Sequence, residues 1–134
     1  MSNTKNVKMN IKPEAANKIK SHIKHGQVVL LALNDGSNQY SKIGGTCTIG
    51  ANFQFVILDQ VDPKFTITIK NNADIDLFTS PAEMQYLDEN LVVAEKNAIM
   101  SLADDSGVID GAVTINVYEP AKVTKKDMQE GKTC

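Results

Sequence analysis

The segment Ser41-Lys42-Ile43-Gly44-Gly45-Thr46-Cys47-Thr48-Ile49-Gly50 places one cysteine among three glycines. Glycine carries no Cβ, so a backbone of this kind lets a ligand approach closely, and sites concentrate in such connections. A thiolate at Cys47 can bind a soft metal or attack an electrophile. The competing reading is a small buried hydrophobe in a strand connection, since free cysteine is among the most buried residue types. From these residues alone both stand.

Other chemistry-bearing residues point more weakly to function. His22 and His25 lie three apart at the end of an expected helix, a spacing that can place two imidazoles on adjacent faces. No third ligand stands nearby, and a helix C-terminus favours His⁺ without any metal. Asp104, Asp105 and Asp110 offer oxygen donors, but Asp-Asp-Ser-Gly and Asp-Gly are also turn chemistry, which is how they are read. Cys134 is the last residue, and the two cysteines stand 87 positions apart, which is no disulfide framework. Cys134 is a second candidate thiolate only if a tail can reach a site. Phosphate loops, dinucleotide fingerprints, His-Glu-x-x-His and Gly-x-Ser-x-Gly are all absent, and neither histidine pairs with Cys47 by any pattern. No enzyme is expected.

Composition sets the background. The 134 residues suit one domain, and a hydrophobic share of 42% suits a packed core. All 14 basic residues are lysine and the net charge is −2, so the bidentate guanidinium reader of guanine and phosphate is missing and no nucleic-acid role is expected. No apolar run reaches the ~20 residues that span a bilayer, and Met1 to Asn6 lacks the features of a signal peptide. The expectation is a cytoplasmic protein. Its lysine-, asparagine- and isoleucine-rich composition suits an AT-rich bacterial genome.

The elements that must position these residues read as strands with two helices. Residues 1–6 read as a disordered tail, 7–118 as a single domain and 119–134 as a polar tail. Val7 to Ile11 alternates like a strand. Pro13 and Glu14 open a helix, with Ala15, Ala16, Ile19 and Ile23 on one side and Lys18, Lys20 and Lys24 toward water, stopped by Gly26. Gln27 to Leu33 reads as a buried strand, and Phe53 to Asp59 as a strand buried on both faces. Phe65 to Lys70 alternates apolar and polar as one strand, followed by a turn at Asn71-Asn72. Ser80-Pro81-Ala82-Glu83 predicts a capping box opening a short helix that ends near Tyr86 or Leu87. Strands follow at about Leu91–Ala94 and Asn97–Leu102, then a loop from Asp104 through Asp110-Gly111, then a last strand from Ala112 to Tyr118. This order predicts an α+β fold, mainly β: an antiparallel sheet or sandwich with one N-terminal helix and one short later helix.

Taken in order, these segments resemble the HesB/IscA-like family of iron–sulfur cluster biosynthesis proteins, in a branch found in low-GC bacteria. Met9-Asn10-Ile11-Lys12-Pro13-Glu14-Ala15-Ala16 looks like the family's opening strand and helix. Val28–Leu33, the glycine-flanked Cys47, Phe53 to Asp59, and Ser80 to Leu87 follow its later layout, over residues 9–118. The resemblance implies that Cys47 is the family's first cysteine ligand. It also implies a Cys-x-Cys pair near the C-terminus, yet the corresponding segment, Asp104–Gly111, holds no cysteine. One thiolate per chain cannot hold a cluster that needs about four ligands. A homodimer pooling two Cys47 residues would still recruit Cys134, carboxylates or an external thiol. The implied function is carriage or scaffolding of iron or an iron–sulfur cluster, with assembly proteins as partners. The alternative is a β-rich interaction or structural module in which Cys47 is a packed or redox-sensing thiol.

Overall fold

The computed structural model describes residues 7–34, 40 and 52–118. Cys47 and Cys134 lie outside the described residues, as do the stretches expected to be tails, 1–6 and 119–134. Along the chain run β1 (Lys8–Ile11), α1 (Pro13–Lys20), β2 (Val28–Leu33), β3 (Phe53–Leu58), β4 (Ile67–Thr68), β5 (Lys70–Asn71), β6 (Leu77–Thr79), α2 (Pro81–Met84), β7 (Asn90–Lys96), β8 (Ile99–Asp104) and β9 (Gly107–Val117). The fold is α+β and mainly β, with a helix near the start and a short one later, as expected. The strand order is β4-β6-β2-β3-β9-β8-β7-β1-β5. The expected antiparallel arrangement holds for β2–β3, β4–β6, β7–β8 and β8–β9. The β1–β5, β1–β7, β2–β6 and β3–β9 ladders are parallel, so the sheet is mixed.

β4 and β5 are separated by one residue, yet they occupy the two ends of the strand order. The expected single strand from Phe65 to Lys70 is therefore two. Ile69 donates its N–H to Leu77 on the β6 side at 2.9 Å, and Lys70 donates to Val7 on the β1 side at 3.3 Å. The chain crosses between the sheet edges there, which nearly closes the sheet and leaves little free edge. Asn72 completes the seam by imitating a strand: its Oδ1 accepts from Ile11 N at 2.7 Å and its Nδ2 donates to Ile11 O at 3.1 Å.

The main core fills the inside of the curved sheet with Met9, Ile11, Val29, Leu31, Leu33, Phe53, Phe55, Ile57, Leu77, Leu91, Val93 and Leu102, capped by Ala15 and Ile19 of α1. A second cluster covers the outer face of β2 and β3: Val28, Leu30, Ala32, Val56 and Leu58 beneath Tyr40 and Phe65. Two covered faces explain why all six residues of β2 and all six of β3 are buried.

Several elements differ from expectation. α1 ends at Lys20, because the next turns tighten to bonds from His22 N to Ile19 O and from Ile23 N to Lys20 O. Gly26, at φ +85°, serves the later turn into β2 and not the helix end. Lys18 does not simply face water but donates to Ala98 O at 2.6 Å. β6 carries no strand pattern of its own and is held by its neighbours β2 and β4. Asn97 and Ala98, at φ 55° and 68°, form the β7–β8 turn, so β8 begins at Ile99. Asp110-Gly111 is no loop: β9 runs unbroken from Gly107 to Val117, with register irregularities against β8. Among the described residues no helix is long and apolar enough to cross a membrane.

Candidate functional site

Cys47 belongs to the connection between β2 and β3, and the residues at the roots of that connection are well placed. Asn34 N donates to Asn52 O at 2.7 Å, closing the mouth. One step inward, Leu33 and Phe53 face each other in the β2–β3 ladder. Their N–H groups are taken by two buried carboxylates from opposite sides. Leu33 N donates to Glu83 Oε2 at 2.9 Å, and Phe53 N donates to Asp110 Oδ2 at 2.7 Å.

Each carboxylate stands where a neighbouring strand stops supplying acceptors. Beside β2, β6 ends at Thr79 and the chain turns into α2, so Glu83 takes over from the strand. Beside β3, the parallel ladder to β9 starts at Gln54 and Thr114, so Asp110 serves the residue just before it. A carboxylate that accepts from backbone N–H groups satisfies donors that burial would otherwise leave orphaned. Asp110 Oδ1 also accepts from Ala112 N at 2.9 Å, and Glu83 Oε1 accepts from the Ser80 hydroxyl.

The expected capping box is thus not formed. Ser80 makes no side-chain cap to the helix backbone, and Glu83 turns inward to β2 instead of back to the cap N–H. α2 lasts only to Met84, short of Tyr86 and Leu87, because the next turns tighten to bonds from Tyr86 N to Glu83 O and from Leu87 N to Met84 O.

On the outer face, Gln54 and Asn116 add a second set of polar anchors. Gln54 Nε2 donates to Tyr40 O at 2.9 Å and, more weakly, to Leu33 O at 3.4 Å. Asn116 Nδ2 donates to the same Tyr40 carbonyl at 3.2 Å. The buried polar residues Asn34, Gln54, Thr79, Ser80, Glu83, Asp110 and Asn116 thus gather about the ends of β2 and β3 and the strands beside them. Glu83 and Gln54 are not among the candidate ligands read from sequence, and Asp110, weighed there as an oxygen donor and read as a turn residue, instead serves the backbone of β3. The Ser80–Glu83 spacing marks Glu83 for a different partner, and Asp110-Gly111 carries only a turn signature, so no local signal points to the bond from Phe53.

The other candidates are not brought together. His22 and His25 are exposed beyond the end of α1, and His22 Nδ1 lies 2.9 Å from Lys18 O. In the segment Asp104–Gly111, Asp104 Oδ1 accepts from Ser106 N at 2.7 Å to close the β8–β9 turn, as read from sequence. Asp105 Oδ2 accepts from Asn90 Nδ2 at 3.1 Å, and Asp110 is engaged at β3. Among the described residues no group of three His, Cys, Asp or Glu side chains is arranged to hold a metal ion.

The fold has solved relatives. A protein of Lactobacillus acidophilus, provisionally assigned to Fe-S biosynthesis, superposes with a TM-score of 0.69 at 25% identity, over 83% of this chain and 90% of that one. A similarly assigned protein of Lactobacillus salivarius, described as having a novel fold, gives 0.67 at 23% identity, over 84% and 98%, and shows likeness of fold. No curated protein matches the chain significantly. The model of one family, iron-sulphur cluster biosynthesis, matches residues 7–117, which is nearly all of the described fold. This chain belongs to the iron-sulphur cluster biosynthesis family.

Proposed function

We propose that the protein carries or scaffolds iron, or an iron–sulfur cluster, as transient cargo, with the Cys47 thiolate as its donor, and that it turns over no substrate. The observation that carries this reading is the family match across residues 7–117, a span that includes Cys47. A thiolate is a soft donor suited to iron in clusters. One thiolate is too few for a cluster, so two copies pool Cys47 with Cys134 or an external thiol, and assembly proteins deliver and collect the cargo. A free thiol of this kind works in a reducing cytoplasm.

Anaerobic reconstitution with ferrous iron, sulfide and an external thiol such as glutathione tests this. The wild type is expected to acquire stoichiometric iron and thiolate-to-iron absorption, with both lost in Cys47→Ser and largely kept in Cys134→Ser. A wild type that acquires neither overturns the reading.

A second reading, a structural or interaction module with Cys47 as a packed or redox-sensing thiol, has one observation in its favour. The carboxylates Asp104 and Asp110, in the segment that the resemblance sets against the family's Cys-x-Cys pair, are engaged by backbone N–H groups. Thiol labelling of the native chain separates the two, because a packed Cys47 does not react.

A further inference from the structure

The outer face of the sheet is covered on one side only. Tyr40 and Phe65 lie over β2 and β3, but neither hydrophobic cluster includes a residue from the outer face of β1, β7, β8 and the start of β9. Residues paired directly across a sheet point to the same side. The pairs Asn10–Val92, Val92–Ala103 and Ala103–Val108 therefore make one row across four strands, and the pair Ala94–Ser101 lies beside it. None of these six residues belongs to either cluster and none carries a charge, and Val108 is 69% exposed. A sheet face turned to water ordinarily alternates to polar and charged side chains.

Charges of opposite sign stand at opposite margins of this face. Lys8 pairs with Lys70 on one side and with Asn90 on the other, and all three line one surface depression of about 540 Å³ together with Asn10 and Val92. Like charges directly opposite repel, and neither ammonium group has a hydrogen bond or ion pair among the described residues. Beyond Asn90 the same line of residues reaches Asp105 in the β8–β9 turn. Its carboxylate takes the neutral Asn90 amide as side-chain partner, at 3.1 Å. The cations and the carboxylate are thus left uncompensated by each other within one chain.

We propose that this face pairs with the same face of a second copy of the chain, about a two-fold axis that runs along the strands between β7 and β8. That rotation exchanges β7 with β8 and β1 with β9. Val92 comes opposite the partner's Ala103, a larger side chain over a smaller one, and the contact is made twice, as an isologous interface requires. Lys8 and Lys70 come over the margin that carries the partner's Asp105, so charges uncompensated in one chain meet their opposites in the other. At the far end Lys96 comes opposite the partner's Ile99, so no like charges meet there. The face is five strands wide from β9 to β5 and seven residues long along β7, about 500 Å² per copy at ordinary strand spacings. Two copies bury about 1,000 Å², the low end for a specific interface, so the pair is weak and reversible. This pairing does not depend on what Cys47 binds.

Sedimentation of the metal-free full chain under reducing conditions tests this, over a concentration series reaching about 1 mM, where contacts of this size are populated. The wild type is expected to move from monomer toward dimer across the series and to dissociate more readily as salt is raised. Lys8→Glu and Asp105→Lys each set like charges across the axis twice, and each is expected to weaken the dimer at least tenfold. Combining the two exchanges the charges and is expected to recover association to within about threefold of wild type. Ala103→Lys, which puts a charge at the centre, is expected to abolish the dimer; should it fail to fold, the Lys8 and Asp105 variants, at exposed positions, decide. A wild type that stays monomeric overturns the pairing and leaves the face to residues 119–134 or to a different protein. A dimer that withstands both single charge reversals, or a double variant no tighter than the singles, overturns it as well. With no iron present, none of these outcomes touches the reading of Cys47, which stands or falls with the reconstitution.

Discussion

Removing the Asp110 carboxylate tests whether the roots of the Cys47 connection are held by side chains in place of a strand. In Asp110→Ala, the N–H of Phe53 loses its acceptor at 2.7 Å, and Phe53 is buried. Hydrogen bonds to a charged group contribute about 1.5–3 kcal/mol, and an orphaned buried donor costs a similar amount. The second bond, to Ala112 N, adds little, because Ala112 is exposed and water can replace the carboxylate. Relief from desolvating a buried charge offsets part of the loss, leaving a net destabilisation of about 1.5–3 kcal/mol. With a urea m-value of about 2 kcal/mol/M, the midpoint falls by about 1 M at unchanged m. Hydrogen exchange provides the local signature: the Phe53 amide loses protection more than amides in the middle of β8. Asp110→Asn keeps one oxygen for Phe53 but sets its amide hydrogens against Ala112 N–H, so it falls between wild type and alanine. A loss below about 0.5 kcal/mol in Asp110→Ala, with Phe53 protection intact, would refute the assignment of Asp110 as the substitute for a ladder partner.

Three further outcomes follow from the same geometry. Glu83→Ala strands the Leu33 N–H and the Ser80 hydroxyl and is expected to cost about 2–4 kcal/mol in urea unfolding, whereas Glu83→Gln, which keeps an acceptor for Leu33, loses less than half of that; equal losses would show that the bond to Leu33 contributes nothing. Leu77→Ala empties a fully buried position in the main core, and calorimetry is expected to read a loss of about 2–5 kcal/mol, so a smaller change would mean that β6 collapses onto the space. At Gly26 a Cβ meets nothing within 4 Å, but φ is +85°, so Gly26→Ala is expected to cost about 1 kcal/mol through backbone strain alone. An unchanged or raised melting temperature there would show that the turn relaxes.

The amino-acid pattern alone determined the elements whose signals are local. Pro13 with Glu14 placed the start of α1, and Pro81 the start of α2. The unbroken apolar runs Val28–Leu33 and Phe53–Leu58 announced strands covered on both faces. Asp104-Asp105-Ser106-Gly107 marked a turn through its own side-chain and backbone chemistry. Cys47 could be singled out by residue type and surroundings, and the order of segments already resembled the family that matches residues 7–117.

The tertiary structure decided what depends on partners distant in sequence. Phe65 and Ile69 share a parity that in one strand would put them on the same face, yet Phe65 enters the outer cluster and Ile69 the main core, because Phe65 closes the turn from Asp62 and lies outside β4, which begins only at Ile67. The parallel pairing of β3 with β9 and of β1 with β7 joins segments far apart in sequence, which no local period encodes. Asp110 and Glu83 carry turn and cap signatures, but each finds a stronger partner in a buried N–H at the root of the Cys47 connection, 57 and 50 positions away along the chain. An orphaned donor in the core costs more than an unmade cap at the surface, where water can take the cap's place. In this fold that difference draws both carboxylates inward.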